Sequence, residues 1–406
     1  MRNRVRRRVR EINAGGAAAL VLFIPLCVCL ALVCASGFAS QSKKTAKFTR
    51  RLDQGIRWYR DPVTGELSVN SGSAAPGVSP TGPAVMRTRT QVVSVTCIVS
   101  TADGTVVPGL RKEDFRIFDD GIERPISYFD ASTEPASVAL VVDASPSVLR
   151  DSEQMKQAAN ALIGALAPLD QAAVVDFSAH TYLQLDFSDV REQIRRAVAR
   201  VDPRELLGDT GGSNIYQAVY LAARELFPGR TGRKAILLLT DGQDSGLGLT
   251  LDPASEVPGL GRPADRLTFD DVARFLADQN IQVFAVSTEN RPKVMTPNWL
   301  AAHEGATLIN ASARTSGIPP YTLYLAELVR RAGGQLNFLR ETETMADTFR
   351  KIAEKIRAEY TLGFAPVESA RGTGASTGWH SLRVEVDGQP GARVSHRAAY
   401  YVPATP

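Results

Sequence analysis

Histidine is scarce in this chain of 406 residues: four occur, His180, His303, His380 and His396. A zinc-protease helix needs two at fixed spacing, and "HEGAT" from His303 supplies one, so that chemistry is not supported. Cysteine is scarce where it would matter. Cys27, Cys29 and Cys34 share one apolar stretch, which leaves Cys97 alone in the rest, so no intrachain disulfide framework exists there and stability must come from packed cores. P-loop and dinucleotide glycine fingerprints are missing. "GASTG" from Gly374 to Gly378 fits G-x-S-x-G, but it sits in a Gly/Thr-rich loop ahead of a strand, without the strand-then-helix context of a nucleophile elbow. A large surplus of one charge is missing too. The formal net charge is +4, and "MRNRVRRRVRE" at the N-terminus alone carries six Arg and one Glu, so no global basic field points to nucleic acid.

Charge is also absent between Glu11 and Lys43, and that absence is informative. The run "AGGAAALVLFIPLCVCLALVCASGFAS" has an apolar part of about twenty residues, long enough to cross a bilayer. Arginines before it and small residues after it fit a signal peptide cleaved near Ala39, or an uncleaved anchor, over residues 1–40. In both cases the positive-inside bias places the bulk of the chain outside the cytoplasm: periplasm, cell envelope or medium. Val33 is too bulky for the residue before a lipidated cysteine, which argues against lipidation of Cys34.

Composition then divides the chain. Residues 41–88 are polar and end in "SGSAAPGVSPTGP", which predicts a flexible linker. Residues 89–134 alternate β-branched and polar residues with turn signals "ADG" and "DDG", which predicts a small antiparallel β unit. From 135 to 358 strand and helix patterns alternate, as in an α/β domain with a doubly wound, mostly parallel six-stranded sheet. "QAAVVDFS" and "TYLQLDFS" predict a hairpin with an edge strand, and the unbroken apolar run of "KAILLLTDG" predicts a strand covered on both faces. Residues 359–406 return to strands, and the two β-rich flanks are expected to pack on each other, because the ends of an inserted domain lie close together. Stretches 245–267 and 291–320 read as long inserted loops.

The chemistry concentrates at "VALVVDASPSVLRDS", from Val138 to Ser152. Asp143 ends a strand, and Ser145 and Ser147 follow at alternate positions. Such residues cap helices, hold metals or serve nucleophiles. In open α/β sheets ligands bind beyond the carboxyl ends of strands where the strand order reverses. Asp241 in "LLLTDGQDS" ends another strand, and Ser213 in "DTGGSNIYQAV" opens a helix after a double glycine. If the two Asp-terminated strands are neighbours, two carboxylates and three hydroxyls make a hard oxygen shell suited to Mg²⁺.

"DASPS", "GGS" and "TDG" together resemble the three loops of the metal-ion-dependent adhesion site of von Willebrand factor type A domains. The resemblance covers about 137–358 and implies direct ligation by Ser145 and Ser147, Ser213 standing where the family usually has Thr, and Asp143 and Asp241 acting directly or through water. Thr210 is the alternative to Ser213, and Asp244 fits a loop-fixing role. Pro146 and Val148 depart from the family's usual Gly and Met without removing a ligand. The flanks are similar to a group of exported bacterial proteins related to this family and abundant in acidobacteria. The resemblance implies a cation-dependent protein-binding module using Mg²⁺, Mn²⁺ or Ca²⁺, completed by an acidic side chain of a protein partner; an enzymatic reading has no residues behind it, and the N-terminal segment is expected to meet the membrane. The competing expectation is an envelope scaffold with a vestigial site.

Overall fold

The computed structural model describes residues 50–61, 67–71, 92–101, 104–131, 134–202, 212–245, 266–296, 299, 317–339, 345–366 and 378–402. The apolar segment, with its signal-peptide or anchor reading, lies outside them. Among the described residues no helix is long and apolar enough to cross a membrane.

Uncharged runs build the centre. Strands β8 (Ala136–Asp143) and β11 (Arg233–Thr240) pair in parallel, with Val142 opposite Leu239. Their side chains alternate between two apolar layers: Ala139, Val141, Ile236 and Leu238 enter one, and Val138, Leu140, Val142, Leu237 and Leu239 the other. Burial on both faces is why these strands read as unbroken apolar runs. Strands β9 (Gln171–Phe177), β12 (Gln282–Ser287) and β13 (Gln335–Phe338) extend the parallel set, and β10 (Thr181–Ser188) runs antiparallel to β9.

Among the described residues six helices cover the sheet: α1 (Ser152–Ala165), α2 (Arg191–Arg200), α3 (Ile215–Leu226), α4 (Phe269–Asp278), α5 (Pro320–Ala332) and α6 (Met345–Arg357). Met155, Ala158, Ala159, Leu162 and Ile163 of α1 pack with α2 and α6 on one face, while α3, α4 and α5 supply the other. This is the doubly wound arrangement, and its chain order fixes where a ligand site can form. From β8 the chain moves outward to β9 and β10, then crosses back to β11 on the other side of β8. The strand order therefore reverses between β8 and β11.

Among the described residues the sheet has seven strands, not six: β1 (Arg50–Arg51) adds antiparallel to β10, which is thereby no longer an edge. The upstream stretch expected as linker is thus ordered in part. Leu52 is buried, and β2 (Ile56–Arg60) pairs with β3 (Leu67–Ser71) in a hairpin against the helices. Trp58 packs edge-on to Tyr220, with ring centroids 5.6 Å apart. Arg60 forks onto Asp271 at 2.5 and 2.9 Å, and Arg224 donates to the Val69 carbonyl at 3.1 Å. These tertiary contacts order a segment whose own composition is polar.

The β-rich flanks form two four-stranded sheets with strands from both ends of the chain. One has the order β16 (Arg393–His396), β4 (Val93–Ser100), β14 (Glu359–Phe364), β7 (Ile126–Asp130). The other runs β17 (Ala399–Val402), β15 (Gly378–Val386), β5 (Phe115–Asp119), β6 (Ile122–Arg124). Val95, Cys97, Ile117, Leu362, Phe364, Val384 and Tyr400 share the core between them. Cys97 is fully buried there, and burial pushes its thiol pKa far up, so it behaves as a small apolar residue. Arg397 ties this sandwich to the α/β domain, donating to the Ser94 carbonyl at 2.6 Å and to the Ala277 carbonyl at the end of α4.

Candidate metal centre

Asp143 and Asp241 stand at the carboxyl ends of the two strands between which the order reverses. Asp143 is 1% exposed and Asp241 4%. Both oxygens of Asp143 are held. Oδ1 accepts the Ser145 amide at 2.9 Å; Oδ2 accepts the Thr240 hydroxyl at 2.6 Å and the Ser213 hydroxyl at 3.4 Å. Ser145 and Ser147 meet through their hydroxyls at 2.9 Å, Ser145 buried and Ser147 exposed. Asp241 Oδ1 accepts the Gln243 amide at 2.8 Å. The five residues singled out from the sequence are therefore gathered at one place, while Thr210 lies outside the described residues.

Capping does not account for this geometry. Helix α1 begins at Ser152, well beyond Ser147, and its cap residue Asp151 makes no side-chain capping bond. Ser145 precedes a single 3₁₀ turn, Pro146–Val148, and its side chain does not cap it. Pro146 suits the first position of that turn, where no amide is needed. At α3 the cap position is Asn214, whose side-chain amide goes to the Ala179 carbonyl at 2.7 Å, leaving the Ser213 hydroxyl for Asp143.

Electrostatics gives the site its character. Burial, and then the charge of Asp241, pushes the Asp143 carboxyl up to about 6, against the downward pull of its bonds to Ser145 and Thr240. A buried carboxyl whose proton affinity is raised by a neighbouring carboxylate makes a place where positive charge is favourable. Every candidate ligand atom is an oxygen, a set matched to hard divalent cations such as Mg²⁺.

The loops are set tightly. Gly212 has φ +83°, and a Cβ there would lie 2.4 Å from the Ser245 hydroxyl, so the second glycine of "GGS" serves close packing. Ser245 in turn donates its amide to the Ser213 carbonyl at 2.7 Å. Beside this loop a cavity of about 330 Å³ is lined by Asp244, Tyr216, Tyr321 and Tyr324 among others.

Residues 138–243, from β8 through the third loop, match the family model of the von Willebrand factor type A domain. The chain carries a von Willebrand factor type A domain. That span contains all five residues of the candidate centre. Solved structures similar to this chain include an aerotolerance-related membrane protein from Bacteroides fragilis, 16% identical over 54% of this chain and 98% of that one, with a TM-score of 0.38. A von Willebrand factor type A protein from Catenulispora acidiphila is 15% identical over 79% of this chain and 75% of that one, with a TM-score of 0.35. The corresponding domain of the type V pili tip protein Mfa5 from Porphyromonas gingivalis is 12% identical over 56% of this chain and 96% of that one, with a TM-score of 0.37. No curated protein matches the chain.

Two features escaped the sequence reading. Thr240 is the hydroxyl nearest Asp143, and its only signal was its place before Asp241. The other lies in the sandwich, where Asp119, Asp120 and His380 bring ligand atoms within 4.8 Å of one another. His380 Nδ1 lies 2.8 Å from Asp120, and Tyr400 stacks on its ring while donating to Asp119 at 3.1 Å. Arg124 stands 3.7 Å from Asp119, so positive charge from the protein itself is at hand. This group ties the turn at Asp120 and Gly121 to β15, remote in sequence from the three loops of the type A domain.

Proposed function

We propose that this chain is a divalent-cation-dependent protein-binding module, exported and working in the cell envelope or outside the cell. The observation that carries the proposal is the pairing of Asp143 and Asp241 at the reversal of strand order, with the Ser213 hydroxyl bonded to Asp143 and Ser145 and Ser147 linked beside it. Ser145, Ser147 and Ser213 would hold Mg²⁺ through hydroxyl oxygens, with Asp143 and Asp241 balancing its charge directly or through water. The bound cation supplies an attachment point for an acidic side chain of a protein partner. The cavity at Asp244 and the three tyrosines offers that partner aromatic and polar contacts beside the centre.

Export rests on the arginine-rich start and the uncharged run that follows it. The test of the cation site is thermal unfolding in Mg²⁺ and in EDTA, because a ligand that binds only the folded state raises the melting temperature. A rise reversed by EDTA supports the module. A curve indifferent to Mg²⁺ leaves an envelope scaffold with a vestigial centre as the better reading.

A further inference from the structure

The opposite end of the type A domain holds a buried carboxyl and a half-buried ammonium that do not bond to each other. Glu359 opens β14 and is 7% exposed, yet its Oε1 accepts no hydrogen bond from any of the described residues. Lys234, on β11, is half-buried, and burial lowers the proton affinity of its ammonium. Both line one cavity of about 380 Å³ between the outer face of the β4–β14–β7 sheet and the amino-terminal edge of the central sheet. A buried polar atom without a hydrogen bond is costly, and Glu359 keeps one although the charge of Arg233 acts on it. Here the two groups face one space without meeting.

The remaining walls narrow the chemistry. Arg230 and Arg233 add positive charge, Asp130 and Glu134 add negative charge, and Thr96 adds a hydroxyl. A simple anion entering this cavity meets three acids, Asp130, Glu134 and Glu359, and a simple cation meets three bases, Arg230, Arg233 and Lys234. A ligand with charge of both signs satisfies both walls. The volume suits a molecule of amino-acid or dipeptide size.

We propose that this cavity binds a small zwitterion of the amino-acid class, its carboxylate on Lys234 and its primary ammonium on Glu359. The site lies where the sandwich meets the α/β domain, so its ligand bridges the two.

The test uses the full-length protein and a panel of the standard amino acids with straight-chain ω-amino acids, followed by thermal shift and calorimetry. N-acetylated and carboxyl-amidated forms of each binder serve as controls. At least one zwitterion is expected to bind, with both blocked forms failing. Glu359→Gln and Lys234→Met are each expected to weaken that binding by about tenfold or more, while the response to Mg²⁺ is unchanged. Binding by none of the panel overturns the proposal and leaves a cavity filled by water. Blocked forms that bind as well as the zwitterion also overturn it, and that comparison needs only the wild-type protein if a variant fails to fold.

Discussion

Thr240 Oγ1 donates to Asp143 Oδ2 across 2.6 Å while accepting the Gly242 amide at 3.0 Å. One hydroxyl thus joins the end of β8 to the end of β11 and sets the orientation of the carboxylate at the reversal of strand order. Thr240→Val keeps the shape and removes the bond, so in EDTA it should cost about 1.5–3 kcal/mol, as for a buried hydrogen bond to a charged group. It should also shrink the stabilisation by Mg²⁺, and Thr240→Ser should restore it. Thermal melts of the three proteins check this; a full Mg²⁺ response in the valine variant would remove Thr240 from the centre.

The ligand residues separate by charge. Asp143→Ala removes one of two carboxylates and should abolish the Mg²⁺-dependent rise in melting temperature. Ser145→Ala and Ser213→Ala each remove one neutral oxygen that water replaces in part, so each should weaken cation affinity by about tenfold. A capping role predicts another pattern: losses of about 0.5–2 kcal/mol that are equal with and without the cation. Paired melts in Mg²⁺ and EDTA distinguish the two.

How much of this was legible in the sequence follows from how local each signal was. Strands β8 and β11 announced themselves because burial on both faces demands unbroken apolar runs, and each ended in or beside an Asp. The three loops were legible as a set through their order on those elements. Strand β1 was not, since two arginines have no alternation to read, and its place is set by pairing with β10. The polar hairpin of β2 and β3 was equally silent, because Trp58 and Arg60 find Tyr220 and Asp271 only once the helices are packed. His380 and Asp120 meet across 260 residues, a distance no local pattern spans.

That hairpin gives a prediction about stability. Asp271 is 6% exposed, and burial alone would raise its carboxyl pKa; the bonds from Arg60 and Thr268 outweigh burial and hold it below the usual value. Arg60→Ala leaves Asp271 with its Thr268 bonds only and should cost about 2 kcal/mol, between an exposed and a buried ion pair. Arg60→Lys should recover only part, because an ammonium cannot reproduce the fork. A depressed carboxylate contributes stability above its unfolded pKa and loses it as pH falls through the folded value. Urea unfolding should therefore show wild type and Arg60→Ala converging in acid, and a constant gap would mean the loss is one of packing.

Glu359 should give the opposite dependence. Burial pushes its carboxyl from 4.5 up to about 8, while the nearby Arg233 pulls it back. An acid whose folded pKa is raised binds its proton more tightly in the folded state, so its contribution is fully present below about pH 4.5 and is lost as pH rises towards about 8. Glu359→Gln keeps the shape and removes the titration. The difference in unfolding free energy between variant and wild type should grow in favour of the variant across that window, reaching the order of a few kcal/mol, and level off above it. Lys234, Arg230, Arg233, Asp130 and Glu134 share the cavity and are present in both proteins, so the difference isolates Glu359. Urea unfolding at a series of pH values measures it. Parallel curves would mean that Glu359 already ionises freely in the folded protein, with water or a bound ligand satisfying the carboxylate.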